Sequence, residues 1–125
     1  MPKTAGWQRP TLVRRTVLWP AHVLDKVEEA AVRQRTTFTT LAGEAVRDAT
    51  VSALKEAGAL AWAEKALAAD SPPEMRTLYW EDHLEGSLAM LSRHEKVSVD
   101  AALLGCIYLA VGHQLEVAAD GEAAG

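Results

Sequence analysis

Apolar and polar positions change period along the chain, and the changes mark its elements. Between Val13 and Trp19 the period is two: Val17 and Trp19 fall on one side, Thr16 and Leu18 on the other, which predicts a strand. Pro20 stops the strand and suits the first turn of a helix, where no N–H is needed. From Ala21 to Arg33, Val23, Val27, Ala30 and Ala31 recur at helical spacing, with Asp25, Lys26, Glu28 and Glu29 on the other side. Gln34 to Thr36 reads as a turn, and Thr37 as the N-cap of a second helix from Phe38 to about Ala57, with Ala42, Ala45, Val46, Ala49, Ala53 and Leu54 inside. Ala59 to Ala69 predicts a helical connector with Leu60, Ala63 and Leu67 on one face. Ser71-Pro72-Pro73 breaks it.

The order then repeats. Met75 to Trp80 is a second strand. Asp82 can cap a helix to about Arg93 with Leu84, Leu88 and Leu91 inside, and Ser98 can cap a last helix to about Val117 with Leu103, Cys106, Ile107, Ala110 and Val111 inside. The repetition is ungapped at an offset of 61. Arg15, Thr16 and Trp19 match Arg76, Thr77 and Trp80; His22 matches His83, Val27 matches Leu88, Thr37 matches Ser98, Val46 matches Ile107, and Leu54 matches Leu115. One such unit has a strand without a partner and helices with an apolar face to cover. Two units solve both problems, because the strands can pair antiparallel and the helices can close over them. The expected fold is therefore mainly α with one two-stranded antiparallel ribbon. Residues 1–12 would be a flexible arm, 13–57 the first unit, 58–73 the connector, 74–117 the second unit and 118–125 a disordered tail.

Composition narrows the classes of function. Half of the 125 residues are apolar, enough for a packed core. The single cysteine excludes an internal disulfide, and with no signal-peptide pattern a cytoplasmic setting is expected. The most apolar stretch, Val97 to Val117, is interrupted by Asp100, His113 and Gln114, so a buried helix is expected and not a membrane span. Charge is uneven. Residues 1–50 carry eight Lys/Arg and five Asp/Glu, a balance of +3, and residues 51–125 carry five and twelve, a balance of −7. A polyanion would be met mainly by the first half. There is no Gly-rich phosphate loop, nucleophile motif or metal-ligand pair, so no enzyme, cofactor or metal is expected. His22 and His83 read as exposed helix-end residues, and Cys106 as core.

Val17-Leu-Trp-Pro-Ala-His-Val-Leu-Asp25 resembles the strand end and first-helix start of the ribbon-helix-helix family of transcriptional regulators, the Arc and MetJ type. Thr37-Phe-Thr-Thr-Leu41 resembles the family's Ser-x-Ser-x-Leu opening of the second helix, and Ser98-Val-Asp-Ala-Ala102 is its weaker echo. The resemblance covers about residues 13–57 and 74–117. It implies a tandem ribbon-helix-helix chain forming an intrachain pseudo-dimer that binds double-stranded DNA. The ribbon would enter the major groove, with Arg14, Thr16, Leu18, Met75, Thr77 and Tyr79 facing the bases. The second-helix starts would grip phosphates through Arg35, Thr37, Phe38, Thr39 and Thr40, and through Lys96, Ser98 and Val99. Such a protein would be a sequence-specific repressor or a plasmid or phage accessory factor, with chains self-associating on longer sites. The chain departs from the family pattern at four points. Leu18 and Met75 are apolar, Asp100 is negative beside an expected phosphate, Arg35 and Lys96 stand where glycine or asparagine is common, and the second unit is acidic. With these departures the two halves need not read equivalent DNA. The alternative is a protein-interaction module, such as an antitoxin or relaxosome-like component that holds a protein partner on its acidic half, on the connector near Trp62 or on the tail.

Overall fold

A computed structural model describes residues 11–69 and 71–124, with side chains through residue 112 and at Leu115. The chain runs β1 (Leu12–Pro20), α1 (Ala21–Arg33), α2 (Phe38–Asp48), α3 (Val51–Ala57), α4 (Ala59–Leu67), β2 (Pro73–Glu81), α5 (Asp82–Glu95) and α6 (Val99–Ala124). It is mainly helical, and among the described residues the strands form one two-stranded antiparallel sheet. Leu12 faces Glu81 at one end and Pro20 faces Pro73 at the other. Thr16 faces Thr77 at the centre, and these two residues are also 61 apart in sequence. The ladder is thus centred on the one pair of matched positions that can face each other.

Further hydrogen bonds recur at the same offset. A proline cannot cap α1 with its side chain, and Pro20 does not. Instead the first helical N–H, that of Ala21, donates across the ribbon to the Pro72 carbonyl at 2.9 Å. At the matched place the Asp82 N–H donates to the Thr11 carbonyl, also at 2.9 Å. Each strand entrance thereby holds the other strand's exit. Asp82 is accordingly the first residue of α5 and not its cap, which is Glu81. Both first helices end in one motif. Thr36 N–H reaches Ala31 O and Arg35 N–H reaches Val32 O; Val97 N–H reaches Ser92 O and Lys96 N–H reaches Arg93 O.

Several expectations change. The single helix expected from Phe38 to Ala57 is broken at Ala49–Thr50, where both residues are extended. The Thr50 hydroxyl accepts from Ala53 N–H at 3.1 Å and starts α3, the competition with the helix ladder that a hydroxyl offers. The matched residue Val111 has non-helical angles, φ −134° and ψ 21°, so the kink recurs inside α6. Gly58, at φ 65°, turns α3 into α4 in a left-handed conformation that glycine adopts without strain. Leu12 belongs to β1 and Pro73 to β2, one residue outside the expected units. Residues 118–124, expected as a tail, continue α6. Of the arm, residues 1–10 lie outside the described residues.

The core has α6 at its centre. Ala101 to Ile107 are buried without interruption, so this helix has no solvent face there. The reason is α4, which lies against α6. A Cβ on Gly105 would stand 2.8 Å from Leu60 Cδ2, and Trp62 stacks on Tyr108 with ring centroids 4.3 Å apart at 23°. The connector is therefore part of the fold. The buried set includes the strand residues Val17, Trp19, Leu78 and Trp80, and also Leu24, Leu41, Leu104 and Leu115. Ala110, expected inside, is exposed just before the kink.

Because the approach of α4 to α6 needs a bare Cα, Gly105→Val is expected to lower stability by about 1–3 kcal/mol. Trp62→Ala is expected to cost about 1–3 kcal/mol through the lost stack and area. Urea unfolding followed by helical circular dichroism measures both.

Candidate nucleic-acid interface

Alternation gives the ribbon two unlike rows. The inward row holds Val17, Trp19, Leu78 and Trp80, all buried. It also holds Arg15 and Arg76, half-buried, and each is neutralised by a carboxylate from the other half of the chain. Arg15 bonds Glu85 of α5 through both Nε and Nη2, and Arg76 bonds Glu28 of α1, with Nε to Oε2 at 2.7 Å. The hydrogen bond to Glu28, followed by that carboxylate's charge, raises the Arg76 pKa above the ordinary arginine value. Glu85 also accepts the Trp80 indole N–H at 2.9 Å. The matched Trp19 finds no such acceptor, because Leu24 stands at the position matching Glu85, and its buried Nε1 is unpartnered.

The outward row is Leu12, Arg14, Thr16 and Leu18 on β1, against Glu81, Tyr79, Thr77 and Met75 on β2. All six residues expected to face the bases, Arg14, Thr16, Leu18, Met75, Thr77 and Tyr79, are exposed together on this face. The only carboxylate in the row is Glu81 at its end. It is half-buried and engaged, 3.6 Å from Arg47 Nη2 and 3.7 Å from His83 Nε2. Leu12, 59% exposed, extends the row by one residue beyond the expected set. Its alternation with Arg14 and Thr16 was a signal for this, obscured by counting residue 12 with the arm.

The other expected residues form two matched helix starts. Thr37 Oγ1 accepts from Thr40 N–H at 3.1 Å, and Ser98 Oγ accepts from Ala101 N–H at 3.0 Å. Capping therefore consumes the Thr40 and Ala101 N–H groups. Among the described residues, the N–H groups of Phe38, Thr39, Val99 and Asp100 have no partner. The Thr37 hydroxyl also pairs with that of Thr40 at 3.1 Å, while Thr39 is half-buried. Phe38 meets the Trp19 ring edge-on, centroids 6.1 Å apart, which ties the start of α2 to the end of β1. Val99 is half-buried and Ser98 exposed. Arg35 and Lys96, both exposed, sit at φ 58° and 57°. These are left-handed positions where a side chain costs energy. The left-handed turn that follows each first helix thus presents a cation in both halves.

The cations differ in their partners. Arg15, Arg33, Arg47, Lys55 and Arg76 are in ion pairs, whereas Arg14, Arg35, Lys65, Arg93 and Lys96 have no partner among the described residues. Arg14, Arg35 and Lys96 belong to the ribbon and the turns before the second helices, Lys65 to α4 and Arg93 to the end of α5. Cys106 is buried, and desolvation pushes its thiol up to about 12. A second feature lies away from the ribbon. A groove of about 410 Å³ runs between α5 and the α2–α3 break, with Val46, Ala49, Val51, Leu84 and Met90 among its lining. Among the described residues no group of three His, Cys, Asp or Glu is placed to hold a metal ion, and no helix is long and apolar enough to cross a membrane. Compared with protein-family models, curated proteins and solved structures, the chain matches none of them.

Two outcomes follow from this geometry. Arg35→Gly and Lys96→Gly are each expected to stabilise the fold by up to about 1 kcal/mol, read as a rise of a few degrees in the melting temperature. Cys106 is expected to stay unreactive toward a soluble disulfide reagent at pH 8 until denaturant unfolds the chain, because only the thiolate attacks.

Proposed function

We propose that the protein binds double-stranded DNA sequence-specifically as a tandem ribbon-helix-helix chain, its two units related by a pseudo-two-fold axis through Thr16 and Thr77. It would act as a transcriptional repressor or as a plasmid or phage accessory factor. The observation that carries the reading is the outward ribbon row. Six exposed side chains lie in register on it, the central part of the row bears no carboxylate, and its one cation, Arg14, is uncommitted. The major groove is wide enough to admit a two-stranded ribbon. Arg14 suits the O6 and N7 atoms of a guanine, and the threonine hydroxyls suit either base type. The capped starts of α2 and α6, each with an unpaired cation before it, suit the flanking phosphates. The inward arginines play a different part: Arg15 and Arg76 tie α5 and α1 to the ribbon.

A second reading, a module that captures a protein partner as an antitoxin does, is favoured by the groove between α5 and the α2–α3 break. That groove is mostly apolar and leaves Met90 65% exposed. The two readings use different surfaces and can both hold.

Selection of bound sequences from random duplex DNA at two salt concentrations tests the first. A defined motif is expected. Arg14→Ala is expected to weaken its binding by about 1–3 kcal/mol, the worth of a bidentate guanine contact. Arg35→Gly is expected to weaken all sequences evenly and to reduce the salt slope by about one. Binding with no motif would reduce the claim to backbone attraction, and no binding at all would leave the protein-partner reading.

A further inference from the structure

We infer that the ribbon has two chemically different reading ends, so that the protein recognises a non-palindromic DNA site and sits on it in one orientation. This rests on the proposed DNA reading and specifies its target. In an exchange of the two halves, each outward residue takes the place of the one 61 positions away: Arg14 exchanges with Met75, and Leu18 with Tyr79. The register sets these residues across from one another in a fixed way. Arg14 faces Tyr79, and Leu18 faces Met75. Exchange therefore carries a polar pair onto an apolar pair. Only the central pair, Thr16 and Thr77, is unchanged by it, with hydroxyls 3.4 Å apart.

The ends call for different bases. The Arg14–Tyr79 end offers a guanidinium, which has five donors in a fixed fork, and a phenol that can donate or accept. A guanine presents two acceptors in the major groove and fits that end. The Leu18–Met75 end offers no N–H or O–H donor at all. Its side chains are 59% and 61% exposed, so apolar surface stands free at the ribbon face. The one apolar group in the major groove is the thymine methyl, so this end takes an A·T pair with the methyl against Leu18 or Met75. A G·C pair there would bring its polar edge against side chains that cannot bond it.

The difference extends past the ribbon. Thr39 and Thr40 open α2, whereas the matched residues opening α6 are Asp100 and Ala101, and Ala101 is buried. The half with the negative residue has less to offer a phosphate. Asymmetry in the flank grip thus accompanies asymmetry in the reading row.

The test is sequence selection with the full chain and with Met75→Arg, which places an arginine at both exchanged positions. Met75 is exposed, so the variant is expected to keep the parent's melting temperature, and that is measured alongside. The parent is expected to select a motif without a dyad, guanine at one end and thymine or adenine at the other. It should bind that motif about tenfold or more tightly than one with guanine at both ends. Met75→Arg is expected to reverse that preference and select a near-palindrome. A palindromic motif from the parent would overturn the inference while leaving sequence-specific DNA binding intact. An asymmetric parent motif that Met75→Arg leaves unchanged would also overturn it, since the end would then not be read by this residue. Failure to select any motif would sink the base-reading proposal itself, and this inference with it.

Discussion

The pairing of β1 with β2 is the constraint on which the structure depends. Neither strand has another partner among the described residues, and a lone strand in water cannot satisfy its ladder. The two strands lie more than fifty residues apart in sequence, so closing the ribbon organises the whole chain. The helix entrances are part of the same closure. Pro20 cannot cap α1 with its side chain, and the carbonyl that receives the Ala21 N–H belongs to the other strand's approach. Asp82 and Thr11 repeat this at the far end. Arg15 and Arg76 add an ion pair across each side, each reaching a helix of the opposite half. Neither half is complete without the other.

Within that frame the halves have diverged where α4 docks. The residues of α6 that α4 covers include Gly105 and Tyr108, and their matches in α2 are Glu44 and Arg47. The two on α2 are exposed and charged; the matched two are a glycine, buried, and an aromatic, half-buried. The contact with α4 closes the face that would otherwise meet water, so that Ala101 to Ile107 are buried all round. The Trp19 indole, unpartnered because Leu24 replaces the acceptor that Glu85 gives Trp80, is another mark of divergence inside a common frame. A buried donor without an acceptor costs about 1–3 kcal/mol, and the surrounding apolar packing offsets it.

This divergence also explains what was legible in the sequence. The ribbon rows, the caps at Thr37 and Ser98 and the first helices rest on local period and on the 61-residue match, and those signals are strong. The break at Ala49–Thr50 was not visible, because alanine-rich flanks favour helix and a single threonine seldom outweighs them. The unbroken burial of Ala101 to Ile107 depends on where α4 lands, which periodicity within either helix does not state. The carboxylate partners of Arg15 and Arg76 were hidden for the same reason: Glu85 and Glu28 are not matched positions, so the repeat could not point to them. The differences between the copies did hold a usable sign. Charged Glu44 and Arg47 set against Gly105 and Tyr108 is what a covered face looks like beside an uncovered one.

The two rows of the ribbon divide its work. The inward row is committed: Val17, Trp19, Leu78 and Trp80 are buried, Val13 is half-buried and the two arginines are neutralised by carboxylates. The outward row is uncommitted apart from Glu81 at its end, with an unpaired arginine, two hydroxyls in loose contact and apolar side chains in water. Alternation keeps the rows apart, so a substitution on the outward row leaves the core untouched, whereas a shift of one residue in register would exchange them entirely. That shift is blocked from both ends, by the reciprocal bonds at Pro72 and Thr11, and from beneath, by the crossed ion pairs. The recognition surface proposed for the outward row needs little stability of its own. It needs a frame that permits one register, and the crossed contacts between the halves supply it.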